Sequence, residues 1–241
     1  MARIEFLFPE VANLYGDPFN ITYLKNSMKN VEIIETSLTD EPKFAKEDID
    51  MIYLGSMSET TQEMVIEKLK PYTARIQELI EKNVIFLLTG NSFEVFEKYI
   101  ENEDGTKIEG LGIIDAYAKR TMFNRYNTLF LGKLNDNEEM KIMGYKATFS
   151  FSYGDNSKNY AFKSIKGCGI NKESTLEGIR INNFIGTYLI GPLLVVNPDF
   201  TKYLINLMGE ENPELQYEEE AIKCYKKRLE EFEREGTDYL Q

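Results

Sequence analysis

Histidine and tryptophan are both absent from the 241 residues, and only two cysteines occur, Cys168 and Cys224. Histidine is the side chain whose unperturbed pKa lies near neutrality, so its absence excludes Ser-His-Asp and Cys-His nucleophilic catalysis. Zinc sites with imidazole ligands and haem held by a proximal histidine fall on the same ground. Two cysteines make neither a disulfide framework nor a metal cluster. No window approaches the roughly 18 apolar residues of a membrane span, and Met1-Ala2-Arg3-Ile4-Glu5 lacks the apolar stretch of a signal peptide. Basic charge is also scarce: 28 Lys and Arg stand against 40 Asp and Glu, a net charge of −12. Nucleic acid and anionic membrane surfaces need a basic face, so neither is expected as a partner. Cytoplasm is the expected compartment, with no metal or cofactor.

What is present fits one soluble globular domain. Hydrophobic content is 42% and charged content 28%, both ordinary values. The first hundred residues alternate strands and helices. Arg3 to Phe8, Val31 to Thr36, Asp50 to Gly55 and Asn83 to Thr89 read as strands. A helix capped by Asn20 or Thr22 runs to about Asn30. A second, from Thr60 to Lys82, carries Val65, Leu69, Tyr72, Ile76 and Leu79 at helical spacing, with Pro71 splitting it. Gly90-Asn91-Ser92 opens an amphipathic helix to about Ile100. This rhythm predicts an α/β fold in three layers, a mostly parallel sheet with helices on both faces.

From 101 to 182 the pattern changes to short strands with polar punctuation, an added antiparallel portion. It includes Gly110 to Ile114, Thr128 to Leu134, Glu139 to Tyr145 and Tyr160 to Ile165. Phe184 to Ile190 is a last strand. Two helices follow, Asp199 to Met208 and Tyr217 to Glu235, the second within an acidic helical extension over 210–241. Its Ile222, Tyr225, Leu229 and Phe232 share one face.

Phe86-Leu87-Leu88-Thr89-Gly90-Asn91-Ser92-Phe93 has the outline of a nucleophile elbow, a strand-to-helix turn that presents one side chain at the carboxyl edge of a sheet. Around it stand Asn13-Leu14-Tyr15-Gly16-Asp17 with Asn20, Gly110-Leu111-Gly112-Ile113-Ile114-Asp115, and Gly167-Cys168-Gly169-Ile170-Asn171. Glu177-Gly178, Gly186-Thr187-Tyr188-Leu189-Ile190-Gly191-Pro192-Leu193 and Asn197-Pro198 complete the set. In order and spacing these segments resemble the GatD/CobQ-like branch of the class I (triad) glutamine amidotransferases over roughly residues 3 to 208. The resemblance implies the flavodoxin-like three-layer fold of that family. It also implies peptidoglycan lipid II amidation beside a Mur-ligase-like (MurT-type) partner, or else cobyrinate-type amidation as in a divergent cobyric-acid-synthase-type protein.

Carried over by position, the resemblance places the attacking cysteine of the family at Thr89 and its histidine at Ile190. The family's Asn-His-Gly-Gly-Arg segment falls near Tyr145 to Phe151, where no arginine occurs. Of the glycines after the third strand, Gly55-Ser56-Met57-Ser58 keeps only the first. A thiol paired with an imidazole is the nucleophile in such sites; threonine is a far weaker acid, and no imidazole exists to take its proton. The first expectation is therefore a binding or regulatory module with an inactive glutaminase site and a small ligand in the old glutamine pocket. Gly55, Ser56, Thr89, Gly90, Asn91, Lys146, Asn171 and Ile190 are its candidate lining. The alternative is an enzyme reusing the cleft with carboxylate or lysine groups, in which Asp17, Glu94 and Lys146 must converge. Surface or capping roles are the plainer expectation for Asp17 and Glu94, and a small buried or half-buried apolar role for Cys168.

Overall fold

The computed structural model of the chain describes residues 1–234. In chain order its first half contains β1 (Ala2–Leu7), α1 (Pro18–Ser27), β2 (Val31–Thr36), β3 (Met51–Leu54), α2 (Glu59–Leu69), α3 (Thr73–Glu81) and β4 (Ile85–Thr89). Then come β5 (Tyr99–Glu101), β6 (Lys107–Glu109), β7 (Tyr117–Arg120), β8 (Tyr126–Leu134), β9 (Asn137–Thr148), β10 (Ser150–Tyr153) and β11 (Phe162–Lys166). The chain closes with β12 (Leu176–Glu177), β13 (Ile179–Ile181), β14 (Phe184–Thr187), α4 (Pro198–Leu207) and α5 (Glu218–Glu233).

The central sheet has six strands in the order β13-β14-β4-β3-β1-β2, parallel except for the edge strand β13. Its strands are apolar on both faces because both faces are covered. In β4, Ile85 and Leu87 point into a core shared with Ile21 and Leu24 of α1 and Phe200 and Leu204 of α4. Phe86 and Leu88 point the other way, against Val65 and Leu69 of α2 and Ile76 and Leu79 of α3. Period-two alternation thus divides one strand between two cores, and the expected three-layer α/β architecture is what the structure has.

Local chemistry sets the helix ends. Ser58 caps α2, its hydroxyl accepting the Thr61 N–H at 3.3 Å, as N-cap serines do. Pro71 lies in a 3-10 turn, Lys70–Tyr72, between α2 and α3. The expected capping by Asn20 or Thr22 is corrected: α1 starts at Pro18, whose missing N–H costs nothing at the first helical position. Asn20 is buried inside α1 and reaches across the core, donating to the Tyr53 hydroxyl (2.9 Å) and accepting from Leu194 N–H (2.8 Å).

Two further corrections concern the middle of the chain. The segment after β4 is a 3-10 helix, Gly90–Phe96, and the chain then becomes β5. Gly110 to Ile113 is a loop, its amides held by the carbonyls of Lys98, Val95, Glu97 and Phe96. The antiparallel portion forms two four-stranded sheets, β10-β7-β5-β6 and β12-β11-β8-β9, in which only the β5–β7 pair is parallel. α5 lays Phe232, Leu229 and Tyr225 on Leu131 and Met143 of the second sheet. Its expected end at Glu235, and the rest of the acidic extension, lie outside the described residues. Among those described, no helix is long and apolar enough to cross a membrane, and no His/Cys/Asp/Glu group is placed to hold a metal ion.

One buried ion pair ties the antiparallel portion to the central sheet. Lys146 of β9 donates to the Cys168 and Gly169 carbonyls at 2.7 Å each and to the Glu177 carboxylate. Glu177 in turn accepts from the Thr187 hydroxyl and the Tyr188 N–H, both at 2.8 Å. Every donor of the ammonium is used, which offsets the desolvation of two charges. Lys146→Met leaves Glu177 buried and uncompensated, and is expected to lower unfolding free energy by about 3–5 kcal/mol, read by urea denaturation. A loss below about 1 kcal/mol contradicts this role.

Candidate functional site

The loops after β1, β3, β4 and β14 meet at the carboxyl edge of the central sheet, where open α/β sheets bind ligands. They enclose a cleft of about 150 Å3, with Tyr15, Ser56, Asn91, Thr148, Tyr188 and Ile190 among its walls. β4 runs straight through Thr89, which has extended geometry (φ −113, ψ 148) and pairs with Thr187. The sharp turn falls one residue later, at Gly90, with φ +63. A left-handed residue followed by close packing is a glycine's position. A Cβ added at Gly90 would overlap the Ser56 hydroxyl and lie 2.9 Å from Ser56 Cβ and 3.4 Å from Ile190 Cγ2.

Thr89 is fully buried behind the cleft rather than exposed at the turn, which corrects the expectation that it is presented there. Its hydroxyl pairs with the Tyr53 hydroxyl at 3.0 Å. Asp17 is buried with them; one carboxyl oxygen accepts the Ser56 N–H at 2.5 Å, and the other, without a partner among the described residues, faces Gly191. Burial pushes the Asp17 pKa up, and the hydrogen bond from Ser56, with the Thr89 and Tyr53 hydroxyls close by, pulls it partly back. The Tyr53 pKa is raised by burial and then by Asp17, so its hydroxyl stays protonated.

Glu94 is also fully buried, against the expectation of a surface or capping role. It accepts from the Tyr188 hydroxyl (2.7 Å), the Gln62 amide (2.8 Å) and the Ser150 hydroxyl. Gln62 is fixed from behind by the Arg120 guanidinium at 2.8 Å. One 3-10 turn on, Glu97 is buried with neither carboxyl oxygen hydrogen-bonded among the described residues. Burial first, and the Glu94 charge second, push the Glu97 pKa well above the usual carboxylate range. Glu94 itself is raised by burial, with Ser150, Gln62 and Tyr188 offsetting part of that rise.

Of the expected lining residues, Ser56, Gly90, Asn91 and Ile190 border the cleft. Gly55 lies behind it, where a Cβ would strike the Ala12 carbonyl. The expectation for Lys146 is corrected: all its donors are spent on the buried pair with Glu177. Asn171 borders a neighbouring groove with Arg125 and Lys172, and its side chain is spent on the Ser152 carbonyl (2.9 Å) and the Glu173 and Ser174 amides (3.1 Å each). No hydrogen bond joins any two of Asp17, Glu94 and Lys146; the Glu94 and Lys146 systems meet only through Tyr188, whose hydroxyl goes to Glu94 and whose N–H goes to Glu177. Cys168 is buried, as expected of a small apolar group.

Residues 3–197 match the CobB/CobQ-like glutamine amidotransferase domain. The chain belongs to this family. It is 28% identical over 198 residues to the GatD subunit of the glutamine-hydrolysing lipid II isoglutaminyl synthase of Staphylococcus aureus (strain N315), covering 80% of this chain and 78% of that one. The same-named subunit of Streptococcus pneumoniae (strain ATCC BAA-255 / R6) is 24% identical over 210 residues, with 84% and 78% covered. Among solved structures, PurLQS from Thermotoga maritima superposes with a TM-score of 0.54 at 12% identity, over 95% of this chain and 99% of that one. This last likeness supports the fold alone.

Ser150 and Tyr188 at the cleft, and Tyr53, Gln62 and Glu97 behind it, are not among the site residues the sequence singles out. The one available signal was Tyr53 itself, a polar tip within an otherwise apolar strand. Two expectations follow from the geometry. Gly90→Ala forces a side chain into left-handed backbone and into Ser56, and should cost about 2–4 kcal/mol in urea unfolding; a cost under about 0.5 kcal/mol contradicts the packing described. Glu97 has a folded pKa above its unfolded one, so the stability it contributes is complete below pH ~4 and is lost as pH rises through the raised folded value. Glu97→Gln should make stability fall less steeply from pH ~4 upward. An unchanged slope between pH 4 and 8 contradicts a retained proton.

Proposed function

We propose that this protein is a glutamine amidotransferase-like subunit without glutaminase activity, which acts by binding within a complex for lipid II amidation. Its partner in this reading is a Mur-ligase-like (MurT-type) protein, and its cleft holds a small molecule without hydrolysing it. The observation that carries the reading is Gly90. Nucleophile elbows place the attacking group on the strained residue of the strand-to-helix turn, and here that residue has no side chain. This moves the attacking position one residue on from Thr89, whose hydroxyl is buried against Tyr53. With either assignment the attacking position itself puts no nucleophilic side chain into the cleft.

The second half of the pair supports the same reading. Ile190 borders the cleft within contact distance of the position a Gly90 side chain would take, and the chain contains no histidine that could stand elsewhere. An apolar group beside the turn neither accepts a proton nor lowers a pKa. The relatives named as lipid II isoglutaminyl synthase subunits, each matched over about four fifths of this chain, support the pathway and the subunit role in this reading. The separation of Asp17, Glu94 and Lys146 speaks against carboxylate or lysine catalysis in the same cleft.

The test is glutamate release from glutamine by the purified protein, alone and with a Mur-ligase-like protein co-expressed from its host. The expected result is co-elution of the two proteins with no glutamate above the protein-free control. Glutamate release abolished by Asp17→Asn or Glu94→Gln, with the fold retained, overturns the inactive-site reading. Failure of every Mur-ligase-like candidate to co-elute overturns the partner assignment.

A further inference from the structure

The helix α5 lies beyond residues 3–197, the span the family accounts for, and it walls a groove away from the amidotransferase cleft. This groove, about 450 Å3, runs between α5, α1 and the Val195-Val196 segment. Its α5 wall extends from Tyr217 to Arg228, about 16 Å at 1.5 Å per residue. Its surface is mainly apolar, with Phe19 62% exposed and Tyr217 72% exposed at the rim. Exposed aromatics beside an apolar channel are a signature of a binding surface.

Two polar features distinguish this groove from an ordinary gap between helices. Tyr23, only 8% exposed, borders it with a hydroxyl that has no hydrogen-bond partner among the described residues. A buried hydroxyl left unpaired costs free energy, and an oxygen atom of a bound molecule would satisfy it. Burial, then the nearby Glu218 carboxylate, raise the Tyr23 pKa, so it remains a donor. At the far end stands the Arg228 guanidinium, with no ion pair among the described residues; Glu220 borders the groove two turns nearer the α5 start. Glu218, also at that start, is already paired with Lys202. The groove is therefore positive at one end, apolar along its length, and supplied with one unsatisfied donor toward the other end.

We propose that this groove binds an unbranched acyl carboxylate carrying a second oxygen along its chain, of the hydroxy fatty acid class. The carboxylate lies at Arg228, the chain follows α5, and the second oxygen accepts the Tyr23 hydroxyl. Cys224, an exposed free thiol on the same wall, reports occupancy, and buried Cys168 is the internal control.

The experiment follows alkylation of Cys224 in the full chain with 12-hydroxydodecanoate, dodecanoate or dodecanol, the acids below their micellar concentrations and the alcohol below its solubility limit, and measures affinity by calorimetry. Saturable 1:1 binding of the hydroxy acid is expected, with Cys224 protected and Cys168 unaffected. Dodecanoate should bind about three- to tenfold more weakly, the worth of one hydrogen bond, and dodecanol more weakly still. Tyr23→Phe should erase the difference between the two acids, Arg228→Gln should weaken both, and Ala221→Trp should fill the groove and abolish binding. Should Ala221→Trp unfold by circular dichroism, Thr22→Trp on the opposite wall takes its place. No saturable binding, binding indifferent to the tryptophan, or equal affinity for the two acids in the unaltered chain overturns the proposal.

Discussion

β4 ends at the centre of the sheet, where the chain must leave between β3 and β14 without breaking contact with either, and a left-handed residue makes that exit. Gly90 supplies it, its N–H held by the Leu189 carbonyl at 3.1 Å. Around this turn the neighbours have closed in. The Ser56 hydroxyl occupies the volume a side chain would need, with Ile190 packed beside it. The packing leaves no room for a side chain at the turn, so introducing one requires altering the neighbours as well as the residue.

The buried groups around the cleft divide into systems with different work. Lys146 and Glu177 join the second antiparallel sheet to β14 and hold the start of the segment leading to Ile190. Asp17, Tyr53, Thr89 and Asn20 lock the β1 loop and α1 against β3 and β4. Glu94, Gln62, Ser150 and Tyr188 form the polar backing of the cleft, and Tyr188 also presents part of its surface. Only the last system borders the cleft with groups that could orient a ligand. Buried polar networks of this kind fix one arrangement of the elements they join when fully satisfied. One Asp17 oxygen and both Glu97 oxygens are the exceptions here, and the raised pKa of Glu97 keeps a second negative charge out of the volume beside Glu94.

Much of the architecture was legible in the sequence, because strands covered on both faces must be apolar throughout. Val31 to Thr36 coincides with β2, and the Pro71 break lies between α2 and α3. The segments that misled were those whose partners are distant in sequence. Gly110 to Ile113 looks like a strand, but its amides bond to the end of the 3-10 helix and the residues after it, Val95 to Lys98. Lys146 looks like a pocket cation, and only its contact with Glu177, 31 residues away, makes it a buried strut. At the elbow the difference is a single residue. The resemblance places the family's attacking group at Thr89, whereas the positive φ that marks the turn lies at Gly90 beside it.

The proposed function makes one central claim: this cleft holds ligands without forming a covalent bond to them. Exposure of the protein to an electrophilic glutamine analogue, a diazoketone, followed by intact-mass and peptide-mapping measurements, tests it most directly. Unchanged mass, or adducts confined to the exposed Cys224, is the outcome this account predicts. A stoichiometric adduct on Thr89, Ser56, Asp17 or any other residue around the Gly90 turn, blocked by excess glutamine, contradicts it.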